Sequence, residues 1–146
     1  MRSSRPPRPR PRESVIQRQA MQLLRSYHWL VFRRNTGATR ATHKGKTRFV
    51  RFSEPGMSDL WCLMAGPTTA VHVEIEIKRP GERPTPDQVR WLLLMTLHGV
   101  PAFWVDNLDT LDRIAQHLMR GGRIGYLDSL NGDFDLIEPR RDAPCF

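Results

Sequence analysis

Val71-His72-Val73-Glu74-Ile75-Glu76-Ile77-Lys78 decides the reading of this chain. β-Branched apolar and polar residues alternate with a period of two, which predicts a half-buried strand. Successive strand side chains point to opposite faces. Val71, Val73, Ile75 and Ile77 therefore share one face, and His72, Glu74, Glu76 and Lys78 the other. Two carboxylates and an ammonium along one sheet face are a poor choice for stability alone. Residues two apart lie roughly 6.6 Å from one another, so Glu76 and Lys78 address one small site. The carboxylate suits a divalent cation, and the ammonium suits a water to be oriented and acidified. Together they fit phosphodiester hydrolysis.

The flanks supply a partner. Residues 60–64, Leu-Trp-Cys-Leu-Met, read as a buried strand, and Ala65-Gly66-Pro67-Thr68-Thr69 turns the chain back into the central strand. The short loop predicts an antiparallel hairpin. Asp59 opens the first strand and Glu76 lies near the end of the second, so the two should meet in space. Glu54-Pro55-Gly56-Met57-Ser58 ahead of Asp59 is turn chemistry.

Further out, residues 13–27 predict a helix whose apolar stripe is Val15, Ile16, Gln19, Ala20, Leu23, Leu24 and Tyr27. Glu13 in its first turn suits the helix dipole or is an acid aimed at the metal site. Residues 29–32 read as a strand, ended by Arg33-Arg34-Asn35-Thr36-Gly37. The basic stretch 38–47, with Arg40, His43, Lys44 and Lys46, predicts a mobile ligand-contacting loop, and Arg48 to Phe52 a strand or ribbon edge. After the basic break at 79–84, Thr85-Pro86-Asp87-Gln88 is a capping box opening a helix that runs to Gly99. Residues 101–105 are a strand by composition, and Asn107 caps an amphipathic helix ended by Gly121-Gly122. Residues 123–146 receive no role. This order of elements implies an α/β fold with a mixed central sheet flanked by helices.

At 146 residues and 39% hydrophobic, one domain is expected. Residues 1–12, Pro- and Arg-rich, read as an extended or disordered basic tail, and 13–146 as the domain. The net charge is +8, and five of the tail's twelve residues are arginines. A polyanionic partner is favoured, although charge alone leaves ribosomal, histone-like and merely solvated readings open. No apolar run is long enough for a membrane span, and the N-terminal arginines precede no apolar segment of a secretory signal. Cys62 and Cys145 form no metal or disulfide pattern, so a reducing, cytoplasmic setting is expected.

Phosphodiesters repel nucleophiles, and a bound Mg²⁺ or Mn²⁺ neutralises that charge and activates water. Hard cations take oxygen ligands, often one or two carboxylates completed by water and phosphate. Asp59 and Glu76 supply the carboxylates, the Ile77 carbonyl a further oxygen, and Lys78 the cation near the attacking water. Glu13 joins the same or a second metal. Glu74 shares the metal or pairs with a basic neighbour; both readings stay open.

Gly56-Met57-Ser58-Asp59-Leu60, Glu76-Ile77-Lys78-Arg79-Pro80 and Thr85-Pro86-Asp87-Gln88-Val89-Arg90-Trp91 resemble the PD-(D/E)XK nuclease superfamily, and within it the VRR-NUC family of virus-type replication-repair nucleases. Asn35-Thr36-Gly37 fits the same pattern, and the resemblance spans about residues 13–118. Asp59 here follows Ser rather than the Pro of the superfamily name. The resemblance implies a restriction-endonuclease-like core and metal-dependent, structure-directed cleavage of branched DNA such as four-way junctions. It implies a homodimer, at work in the host cell cytoplasm if the protein is phage-encoded. It matches Glu13, Asp59, Glu76 and Lys78 to the family's catalytic positions and Gln88 to the glutamine that orients the site. Arg33, Arg40, Lys44, Lys46, Arg48, Arg79 and Arg83 are the candidate DNA contacts. A two-fold-symmetric junction needs two cuts, which a symmetric pair of chains supplies.

Duller accounts compete. Glu76 and Lys78 read equally as an exposed ion pair worth under about 1 kcal/mol, Gln88 as a cap alone, and Trp29, Trp61, Trp91, Leu92 and Met95 as core. None of the five histidines has metal-ligand spacing, and only His72 lies on the active face. A non-cleaving DNA binder and a sequence-specific, restriction-like nuclease are the rival functions.

Overall fold

The alternating stretch forms the central strand of a four-stranded sheet. A computed structural model describes residues 10–34, 38–51, 53–125 and 136–137. The elements are α1 (Glu13–Ser26), β1 (Leu30–Arg33), β2 (Ala38–His43), β3 (Lys46–Arg51), β4 (Leu60–Ala65), β5 (Ala70–Ile77), α2 (Pro86–Leu97), β6 (Ala102–Val105), α3 (Leu108–Met119), β7 (Arg123–Ile124) and β8 (Leu136–Ile137). The expectations for residues 1–9, 35–37, Phe52 and Cys145 lie outside the described residues, as do 126–135 and 138–146.

The main sheet has the order β1-β4-β5-β6. β4 and β5 form the expected antiparallel hairpin, with Leu60 opposite Ile75. β6 runs parallel to β5, reached through the α2 crossover. The fold is thus α/β with a mixed sheet and flanking helices. α1 and α3 cover one face, where Ile16, Ala20 and Leu24 pack with Cys62, Val73, Ile75, Phe103, Ile114 and Leu118. α2 covers part of the other through Leu92, packed with Ala102, Trp104 and Met95.

That second cover corrects one expectation. β5 is not half-buried: every residue from 73 to 78 is buried, Glu74, Glu76 and Lys78 included. A strand with a parallel neighbour sits in mid-sheet with helices on both faces, so its polar row is enclosed rather than solvated. α1 is also rotated from its expected stripe. Ile16, Gln17, Ala20 and Leu24 are buried, whereas Val15 and Gln19 are exposed. A polar Gln17 takes an inward position that hydropathy reserves for apolar residues.

The stretch 38–47, expected as a mobile loop, instead forms a hairpin with the strand expected from Arg48 onward. β2 and β3 pair from Ala38–Arg51 to His43–Lys46, closed by Lys44 (φ 50°) and Gly45 (φ 72°). Two consecutive positive φ angles are the two-residue turn that matches strand twist. Residues 42–48 are exposed on both faces, and no apolar alternation betrays β2. β7 and β8, in the region without an assigned role, form a short antiparallel pair. No helix among the described residues is long and apolar enough to cross a membrane.

The capping box is realised. Thr85 N–H donates to Gln88 Oε1 at 2.8 Å, and Gln88 N–H to Thr85 Oγ1 at 3.4 Å. Such caps contribute about 1 kcal/mol. Gly56 locks the preceding turn against this helix end. Its φ is +80°, and a Cβ there would lie 2.2 Å from the Asp87 carbonyl oxygen. Replacing Gly56 by Ala adds that clash to left-handed backbone strain, for a combined cost of about 2–4 kcal/mol. Chemical denaturation should show this loss, whereas Gly81→Ala, also at positive φ but in open space, should cost about 1 kcal/mol.

Candidate metal centre at the strand ends

The hairpin register brings Asp59 and Glu76 together as their spacing predicts. Two hydrogen bonds link the two segments here. Asp59 N–H donates to Glu76 Oε2 at 3.2 Å, and Ile77 N–H donates to Asp59 Oδ2 at 2.9 Å. Lys78 Nζ sits 2.7 Å from Glu76 Oε1, and Gln88 Nε2 donates to the same oxygen. Gln88 therefore caps α2 with its Oε1 and grips the site with its Nε2. Ile77 enters through its N–H.

Enclosure sets the electrostatics. Glu76 is 1% exposed. Burial, and then the neighbouring Asp59, push its carboxyl up to about 7, with Lys78 and the Asp59 N–H pulling back. Asp59 is raised too, chiefly by burial, against the Ile77 N–H, Lys78, Gln17 and Arg33. Two desolvated acids side by side resist double ionisation. A site that resists charge on its own accepts a cation that supplies the missing countercharge.

Gln17, absent from the sequence-derived candidates, joins Glu13 to this pair. Its Nε2 donates to Glu13 Oε1 at 3.2 Å, and its side chain lies near enough to Asp59 to pull that carboxyl down. Gln17 is 4% exposed, and its Oε1 is buried without a protein donor. Glu13 and Gln17 line an open basin of about 390 Å³ with Arg12, Ser14, Arg33 and Arg79. The helical i, i+4 spacing of Glu13 and Gln17 was the available signal, hidden by the assumption that inward positions are apolar.

These donors fit a hard cation: two carboxylates face one another, and an orphaned amide oxygen lies alongside. They do not make a closed cage. Among the described residues, no three His, Cys, Asp or Glu side chains cluster tightly enough to enclose an ion. An open shell completed by water and phosphate is the usual arrangement for Mg²⁺.

Glu74, on the same strand face, has the other fate left open by sequence: it pairs with a base. Arg34 Nη1 and Nη2 donate to its two oxygens at 2.6 and 2.9 Å. Ser58 Oγ also donates to it, as does Trp91 Nε1 at 3.3 Å, and His72 Nε2 lies 2.8 Å away. Burial pushes Glu74 up, but the bonds from Arg34, Ser58 and Trp91 outweigh it and hold the carboxyl below its usual range. Arg34 also binds the Asp59 backbone, its N–H donating to the Asp59 carbonyl at 2.8 Å. The cluster thereby anchors the residues that present Asp59. Arg34 and Ser58 carry no motif that marks them in the sequence.

Two tryptophans expected in the core lie elsewhere. Trp91 belongs to the Glu74 cluster, with the Arg34 guanidinium 5.8 Å from its ring centroid. Trp61 is partly exposed and stacks on Phe32 at 4.3 Å. Trp29, Leu92 and Met95 pack as expected. Of the candidate DNA contacts, Arg33 and Arg79 border the basin, Arg79 also pairing with Glu82 at 2.9 Å. Arg83 is exposed beyond β5. Lys44, Lys46 and Arg48 are exposed on the β2–β3 hairpin, and Arg40 lies on β2, its side chain outside the described set.

The raised Glu76 carboxyl fixes a pH dependence. Above about pH 4.5 the unfolded chain ionises this residue while the folded chain keeps its proton, so metal-free stability falls until about pH 7. Asp59 acts in the same direction; Glu74 acts oppositely, at more acid pH. In EDTA, wild-type stability should drop by up to about 3 kcal/mol across this window, and Glu76→Gln should flatten the profile. Parallel thermal-unfolding profiles for the two proteins would contradict the account.

Comparison with protein-family models, with curated proteins and with solved structures finds no match for this chain, so the reading of the site rests on its own geometry.

Proposed function

We propose that this protein is a metal-dependent endodeoxyribonuclease that hydrolyses phosphodiesters in branched DNA, on a PD-(D/E)XK core of the VRR-NUC kind. The observation that carries the reading is the meeting of Asp59, Glu76 and Lys78 at one end of an antiparallel hairpin, with Glu76 held by Gln88. An isolated ion pair explains Lys78 and Glu76 but gives no reason to set a second, partly buried acid, Asp59, against them.

In this reading, Asp59 and Glu76 hold Mg²⁺ or Mn²⁺, with the Ile77 carbonyl as a further oxygen and Glu13 and Gln17 Oε1 acting directly or through water. The ion supplies phosphate neutralisation and a water of lowered pKa. Gln88 and the Asp59 N–H keep Glu76 aimed at the ion. Lys78 is positioned to orient the attacking water or to offset charge that builds on phosphorus oxygens. Arg33 and Arg79, bordering the basin, suit the flanking phosphates. One chain offers one such centre, so paired cuts in a four-way junction call for a homodimer. Leu30 and Phe32, exposed on the β1 edge, are apolar surface available to such a partner. The rivals, a non-cleaving binder and a sequence-specific nuclease, share the fold and differ in outcome.

Purified protein with Mg²⁺ or Mn²⁺ should nick a four-way junction in preference to plain duplex, irrespective of arm sequence. EDTA should abolish cutting. Asp59→Asn and Lys78→Met should each lower the rate by at least about 100-fold while junction binding persists in a gel-shift assay. Binding without cutting by wild type would favour the non-cleaving reading. Cutting confined to one duplex sequence would favour the restriction-like one.

A further inference from the structure

We propose that the β2–β3 hairpin is an arm that enters the major groove of duplex DNA beside the cleavage centre. The proposal rests on reading that centre as one that acts on DNA, and it adds a separate contact surface with its own partner geometry.

The first observation is charge. Between Glu13 and Glu54 the chain has no acid, and it carries nine lysines and arginines, five of them within residues 38–51. Such a run of a single sign on an exposed element repels itself and is stabilised by a polyanion. The second is isolation. β2 and β3 make their principal contacts with each other, and residues 42–48 are exposed throughout. A lone two-stranded hairpin is marginal in water, and its residues 42–48 bury no side chain, so its retention calls for a use outside the core. The third is facial arrangement. The register places His43 opposite Lys46, with Arg48 two residues on along the same face, while Thr42 and Thr47 meet on the other at 3.4 Å between hydroxyls.

Placement supplies the fourth. The arm leaves the sheet after Arg33 and returns before Leu60, and these two residues are paired neighbours. Leu60 follows Asp59 directly. The hairpin therefore springs from the sheet end that carries the metal centre. Strands of six residues extend about 20 Å. A two-stranded ribbon fits the roughly 12 Å major groove of B-form DNA, whereas the deep, narrow major groove of A-form RNA excludes it. Lys46 and Arg48 would then face phosphates or base edges along the groove, with Lys44 at the tip.

The test compares wild type with a triple variant, Lys44→Ala, Lys46→Ala and Arg48→Ala. Thermal unfolding should be unchanged, since these side chains are exposed. Fluorescence anisotropy across a salt series should show the duplex-binding slope of log K against log salt reduced by about 2–3, close to one phosphate contact per cation. Protection of guanine N7 from dimethyl sulfate, a major-groove probe, should be lost in the variant. The slope on single-stranded DNA and on duplex RNA should change by less than half as much. An unchanged duplex slope, or equal reductions on all three nucleic acids, overturns the arm. If wild type binds with the expected slope yet never cuts, the nuclease reading fails and the arm stands. If wild type cuts while the duplex slope is the same in both proteins, only the arm fails.

Discussion

Two cross-strand hydrogen bonds bind this structure to its chemistry: Asp59 N–H to Glu76, and Ile77 N–H to Asp59. Each acid receives a backbone donor from the other's strand. The exchange exists only in one register of the β4–β5 hairpin, because a slip by one residue sends Glu76 to the opposite face. The apolar row of β5 enforces that register by burying Val73, Ile75 and Ile77 under α1 and α3. Packing on one side of the sheet thus sets the position of charge on the other.

The neighbouring acids on β5 show how surroundings divide identical groups. Glu74 and Glu76 share a strand face and are both buried. Glu74 has a full set of partners around Arg34 and stays ionised below the usual carboxylate range. Glu76 has one ammonium and a second acid beside it, and rises to about 7. The first is a saturated structural anchor. The second is left short of positive charge, the condition under which a divalent cation gains most. Gly56 and the α2 capping box complete the frame: Gly56 lets the turn before Asp59 approach the Asp87 backbone, and the box fixes the helix end that delivers Gln88.

Much of this was legible because it follows from period and spacing. The two-residue alternation located β5, the short turn located the hairpin, and Thr85 to Gln88 located the start of α2. The encounter of Asp59 with Glu76 followed from those alone. What escaped depends on side chains crossing between elements. Gln17 is inward and polar, and only the fold places it beside Asp59. Arg34 and Ser58 matter through Glu74, which single-strand patterning could not assign to a partner. β3 was legible from Arg48 onward, but β2 escaped, because the polar, basic residues of 38–47 show no apolar alternation to distinguish them from a loop. Trp91 was read as core because tryptophan usually is, yet its indole N–H serves a buried acid.

The central claim is that the Asp59 and Glu76 carboxylates grip a common ion. The most direct measurement is anomalous diffraction from crystals soaked in Mn²⁺. The account predicts one strong peak per chain, with a carboxylate oxygen of each residue about 2.0–2.3 Å from it. A peak bound elsewhere on the chain, with Asp59 and Glu76 still engaged only with Lys78, Gln88 and the backbone, would contradict it.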